Sequence, residues 1–403
     1  MLYCRRIMAS EMSPKRIAAI VVLLAAGVFT GAQLGKIAPV VGWYEAEFGL
    51  SLVAVGWLTA ILGIFVALAA LPAGVWIGRT GGLVSIGIGS AFIVAGGLWL
   101  AFAGGPAALF SARIVEAVGY CILCIALPAI LTRISPASWQ GPVLAVWSGF
   151  VPVGFASADF IAASLLPAID PSAYLALMTL AYAAFAAVGL ALLPGLERKE
   201  GDGAEEFAGS PMTRPILLLG AGFGAFVVSS VALFAFLPAF AGSGETLLIG
   251  AGAIVLTVPL GNAIAGVLVG GRGATGVVAI AVAAFLASAA TALFAFSGSA
   301  PLVATLAAVA LCMASGVVAS AIFAATPLAT GRGVSVAAAL GLVCQAGGIA
   351  TLAGPPAGAF VIEATGWTGF GVFLAVVSLA GAAVLAPFLV GRLSAPADAP
   401  RGP

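Results

Sequence analysis

Within the apolar run ARIVEAVGYCILCIALPAIL, residues 112–131, a guanidinium and a carboxylate stand three positions apart, at Arg113 and Glu116. Residues at that spacing share a face of a helix, so the two can pair, and the carboxylate can exchange its charge for a proton where water is scarce. Two more ionisable residues interrupt apolar stretches: Lys36, which follows Thr30 and Gln33 along one stripe, and Asp159. A charge placed deep in hydrocarbon costs at least a few kcal/mol, so these groups should face one another or a watery cavity. Arg113 and Lys36 would then attract an anionic or strongly polar solute, while Glu116 or Asp159 exchanges a proton. Two cations and two carboxylates sum to zero, and protonating one acid makes room for one negative charge, which is the basis for expecting proton–anion symport. The same four residues can also be read as structural ion pairs, with Lys36 reaching outward to the lipid headgroups; both readings stay open on the sequence.

Other chemistries find little support. The chain has no histidine, which removes the usual general base of serine and cysteine hydrolases and the commonest metal ligand. Cys121 and Cys124 form a CxxC inside the apolar run, but no further ligands are spaced for zinc, and small packing residues is the better reading. The fragment GAQLGK, 31–36, has too few residues between its glycines for a phosphate loop and lacks the following Ser or Thr. We therefore expect no enzyme, no metal and no cofactor. A net charge of +1 without a basic stripe also sets nucleic acid aside.

The elements that must hold these residues are membrane helices. The chain is 63% hydrophobic and 7% charged, against roughly 25% charged in a soluble domain. Apolar segments long enough to cross a bilayer, about 20 residues each, fall near 17–41, 51–77, 83–103, 108–131, 142–166, 173–194, 215–240, 247–269, 276–297, 301–324, 334–361 and 369–391. The expected fold is all-α, with twelve transmembrane helices in two pseudo-symmetric six-helix bundles. The basic start leads into a stretch too long for a signal h-region, so the N-terminus is expected to stay attached and cytoplasmic. Alternate loops and the tails then hold 13 of the 15 basic residues, as the positive-inside rule requires. This sorting predicts an inner-membrane protein with both termini cytoplasmic. The polar segment 196–214 reads as a cytoplasmic linker between an N-terminal bundle, 1–195, and a C-terminal bundle, 215–403.

The two halves echo each other. Aligning Pro39 with Pro238 sets Thr30 against Ser229 and Lys36 against Ala235, and AGVWIGRTGG, 73–82, parallels AGVLVGGRGA, 265–274. The second half repeats the frame without the charges; Asn262 and Gln345 are its polar groups chosen for the cavity.

At these residues the chain resembles the major facilitator superfamily across its length. The family's loop between helices 2 and 3 has the pattern G-x-x-x-D-[RK]-x-G-[RK]-[RK]; Gly74, Arg79 and Gly81 match it, while Gly78 replaces the acid and Gly82 and Leu83 replace the later bases. The charge latch implied by the family is therefore incomplete. Arg113 matches the arginine of the family's R-x-x-x-G-x-G in helix 4, with the glycine displaced to Gly119. The stretches GKIAPVVGWYEAEFGLSLVAVGW and LPAILTRISPASWQGPVLAVWSGFVPVG look like the cyanate-permease-like small-solute branch. The resemblance implies a monomeric secondary carrier working by alternating access, with protons and a small solute as its partners. An alternative within the same family is a proton-antiporting exporter of lipophilic or drug-like compounds, with Phe29, Phe226, Phe234 and Phe236 lining its cavity.

Overall fold

The structure is a computed structural model; it describes residues 13–136, 139, 143–144, 146–196, 210, 212–242, 247–331, 334 and 336–390. The chain divides into two compact units, Met1–Gly203 and Ala204–Pro403. Most of the expected linker, 196–214, lies outside the described residues.

In the first unit α1 spans Pro14–Gly35, a short 3-10 turn spans Ala38–Val40, and α2 spans Val41–Phe48. Pro39 has no N–H to continue the helical ladder, and the tighter turn falls at that residue. The left-handed Gly49, φ 61°, ends α2. Then come α3 (Leu52–Ala60), α4 (Ile64–Thr80), α5 (Gly82–Ala101), α6 (Pro106–Ile134), α7 (Phe150–Leu165) and α8 (Pro171–Leu192). Prolines 14, 106 and 171 open their helices, where a missing N–H costs nothing. Ser13 and Ser51 cap α1 and α3 by accepting from the backbone N–H of Arg16 and Ala54.

The second unit contains α9 (Arg214–Gly242), α10 (Ala251–Val255), α11 (Val258–Val269), α12 (Ala274–Ala295), α13 (Pro301–Ala329) and α14 (Val336–Leu385). The last is two helices met end to end, because Gly366 adopts φ 71° inside it.

Ten helical stretches among the described residues are long and apolar enough to cross a membrane, and Phe150–Leu165 adds a shorter apolar one. With the break at Gly366 these agree with the twelve expected segments. The first reaches Phe48 rather than residue 41, where α2 is anchored by the buried Val41 and Tyr44. Large apolar side chains point outward, including Leu68, Phe102 and Val267 at 72%, 73% and 82% exposure. A surface of that kind needs an apolar solvent, so the chain is a multi-pass membrane protein.

Packing within each unit relies on glycine where backbones touch. A methyl group at Gly31 of α1 would overlap the Phe150 carbonyl, and one at Gly154 of α7 would overlap the Ala32 amide. In the second unit a methyl at Gly354 of α14 would come 2.6 Å from the Val228 carbonyl of α9. The first and fifth membrane segments of each unit thus cross at a glycine, which gives the sequence echo a physical form.

Candidate functional site

Three buried charges meet in the first unit. Lys36 follows the last turn of α1, and its backbone N–H still bonds the Ala32 carbonyl at 2.7 Å. Its ammonium donates to Glu116 Oε1 at 2.7 Å, to Gln33 Oε1 at 2.8 Å and to Thr179 Oγ1 at 3.3 Å. An ammonium has three hydrogens, so all are used. Arg113 Nη1 donates to Glu116 Oε2 at 2.8 Å and to the Gln33 carbonyl at 2.9 Å. Its Nε bonds the Leu58 carbonyl at 2.7 Å, and Nη2 reaches Thr59 O at 3.5 Å. Glu116 therefore bridges the two cations, one per carboxylate oxygen.

The supporting bonds complete the network. Gln33 Nε2 donates to the carbonyls of Phe29 and Met178, at 3.1 and 3.2 Å, which leaves its side-chain oxygen for Lys36. Thr179 donates its own hydrogen to Leu175 O at 3.0 Å and so faces Lys36 as an acceptor. The 3-10 turn at Ile61–Gly63 ends the helical run of α3, whose carbonyls at 58 and 59 are the ones that turn to Arg113. Gln33, Lys36, Arg113, Glu116 and Thr179 have no exposed surface. Lys36 thus points inward to the other charges, not outward to the headgroups as the structural-pair alternative expects.

Close approach of α5 seals one side. A methyl at Gly97 would stand 2.5 Å from Thr179 Oγ1 and 2.9 Å from Glu116 Oε1, and one at Gly96 would stand 2.6 Å from the Glu116 amide. With all groups ionised, Lys36 and Arg113 against Glu116 leave one positive charge in the cluster. Among the described residues no set of three His, Cys, Asp or Glu could hold a metal ion.

The remaining expected residues lie apart from these bonds. Thr30 is buried one turn earlier on α1 and bonds the Ala26 carbonyl at 2.9 Å. Asp159, on α7, is half-buried; the ion pairs of the cluster are Lys36–Glu116 and Arg113–Glu116, and these three groups sum to +1 when all are ionised. Asn262 belongs to α11 and Gln345 to α14, both half-buried in the second unit; the Asn262 side-chain oxygen has no hydrogen-bond partner among the described residues. Gly74 and Arg79 belong to α4, where Arg79 is exposed, and Gly81, φ 84°, ends that helix.

Sequence reasoning missed Thr179, the carbonyls of Leu58 and Thr59, and Gly97. Thr179 is the one threonine of PSAYLALMTLAYAAF, 171–185, beside Ser172, Tyr174 and Tyr182, and nothing in that stretch marks it out as a partner for a charge. It missed Tyr44 as well, whose buried hydroxyl has no hydrogen-bond partner among the described residues and lies within electrostatic reach of Arg113 and Glu116.

Comparison with known proteins agrees with this architecture. Residues 19–350 match the family model of the Major Facilitator Superfamily. No curated protein matches the chain. Two crystal structures of a bacterial homologue of the human lysosomal transporter Spinster share its fold. The inward-facing, unoccupied form is 16% identical with a TM-score of 0.73, covering 96% of this chain and 100% of that one. The inward-facing, occupied form is 18% identical with a TM-score of 0.69 and the same coverage. Likeness at these identities is one of fold.

Proposed function

Because the chain belongs to the Major Facilitator Superfamily, whose members are transporters of small molecules, we propose that it carries a small anionic or strongly polar solute together with protons, by alternating access of its two bundles. The observation that supports this reading is the closed, buried cluster in which the Glu116 carboxylate bridges Lys36 and Arg113, because charges held away from water are costly to keep.

The coupling follows from the bonds. Ionised Glu116 accepts from both cations. A proton added to it removes the charge that holds them and places a donor where an acceptor stood, so one of the two bonds must open. An oxygen of an incoming anion can accept the freed N–H. Asp159 is then a second proton carrier outside the cluster, and Asn262 and Gln345 offer neutral hydrogen bonds from the second unit. Gly74, Arg79 and Gly81 belong to the cytoplasmic gating loop in this reading. The protein acts as a monomer in the inner membrane, with both termini in the cytoplasm. Small carboxylates and inorganic anions, the class suggested by the cyanate-permease-like stretches, are the first solutes to test.

The exporter alternative draws less support. Phe234 and Phe236 are buried, Phe29 stacks on Phe185 at 5.1 Å and Phe226 meets Phe223 at 5.4 Å, so all four of its aromatics are engaged in packing within their own units. The test uses purified protein in proteoliposomes. An inward proton gradient should drive accumulation of an anion from the panel, and Glu116→Gln should abolish that accumulation while anion exchange persists. Proton-driven expulsion of cationic dyes, with no anion uptake, would overturn the proposal.

A further inference from the structure

The second unit contains a small cavity of about 10 Å³, lined by Phe226, Leu233, Phe285, Leu311, Val318 and Leu374 together with five serines. Those serines, Ser229, Ser230, Ser288, Ser315 and Ser378, come from four helices: α9, α12, α13 and α14. Helical serines in membranes commonly satisfy themselves by bonding a carbonyl one turn back, and two of these do so. Ser229 donates to the Phe226 and Ala225 carbonyls at 2.9 and 3.2 Å, and Ser315 donates to Cys312 O at 2.7 Å. Ser230 and Ser288 do not; they are 3% and 4% exposed and their hydroxyls have no hydrogen-bond partner among the described residues. A buried hydroxyl without a hydrogen bond costs about 1–3 kcal/mol, so two around one cavity require an occupant.

The hydrogens already spent decide what that occupant is. Ser229 and Ser315 can offer the cavity only lone pairs, whereas Ser230 and Ser288 each have a hydrogen to give. The complementary ligand donates two hydrogen bonds and accepts two. A monovalent cation can donate none, and no carboxylate lines the cavity to balance its charge. An anion would face the lone pairs of Ser229 and Ser315 with nothing to donate. The volume matches about one water, which needs roughly 10–15 Å³ and two to four polar partners. We propose that this cavity is a binding site for a single water molecule, which accepts from Ser230 and Ser288, donates to Ser229 and Ser315, and joins α9, α12 and α13.

A structure of the full-length wild-type protein at a resolution that shows ordered solvent tests this directly. The expected result is one peak within about 3.2 Å of both Ser230 Oγ and Ser288 Oγ. Melting temperatures of Ser230→Ala, Ser288→Ala and the double variant give a second readout. Groups that share one ligand are coupled, so the double variant should melt little lower than the worse single one. A cavity without density, or losses that add, would overturn the proposal. So would a melting temperature that rises in sodium chloride over choline chloride and loses that rise in the double variant, which would identify a cation.

Discussion

Thr179 makes the plainest case for how single residues hold the charged cluster. Its hydroxyl gives its hydrogen to Leu175 and accepts from Lys36, so Thr179→Val keeps the shape and removes the acceptor. Lys36 is then left with one unmet N–H in a buried place, a cost of about 1–3 kcal/mol. The expected outcome is a lower melting temperature in detergent with an unchanged fold by circular dichroism. Arg113→Lys should be more severe, because an ammonium cannot replace the fork that reaches Glu116, Gln33 and Leu58 at once; anion binding by calorimetry should fall below detection. Arg113, Glu116 and Lys36 were legible in the sequence because charges are rare in apolar segments. Thr179 was not, since a hydroxyl in such a helix ordinarily closes on its own backbone and says nothing of a partner. The orientation of Asp159 was illegible for another reason: depth along a helix can be counted from sequence, but the way α7 packs on α1 is set by the glycine contacts at Gly31 and Gly154.

Between helices, closeness does the work of side chains. Gly97→Ala would drive a methyl into Thr179 and Glu116 at 2.5 and 2.9 Å, whereas Gly87 of the same helix has nothing within 4 Å. Gly97→Ala should therefore lower both melting temperature and proton-driven uptake, and Gly87→Ala should leave uptake intact, its helix gaining up to about 1 kcal/mol of propensity. At Gly366, φ 71°, an alanine meets the left-handed penalty of about 1–2 kcal/mol, and Gly366→Ala should lower the melting temperature accordingly. Hydropathy located the helices well because lipid imposes one rule along the whole chain. It gave no sign of α2, which lies mostly between the expected segments 17–41 and 51–77 and is bound to the core by Val41 and Tyr44.

For the molecule as a whole, the charge sum yields a prediction about energetics. At rest the cluster holds +1; with Glu116 protonated and one monoanion bound it again holds +1. Uptake of a monoanion should accordingly move no net charge, and its rate should not change when a potassium–valinomycin potential of either sign is imposed on the proteoliposomes. Orientation can be checked in the same spirit. A single cysteine replacing exposed Arg79 should react with an impermeant maleimide only from the cytoplasmic side, as the loop charges require. Lys36 has a further bearing on such measurements. Every one of its hydrogens is already spoken for, so cargo arriving there must evict a tenant instead of taking a free seat. What a titration reports is then the margin between guest and incumbent, a small quantity even when each contact is strong. If the solute binds at Lys36 as proposed, loose grip and quick discharge follow, and these suit a carrier whose purpose is to let go.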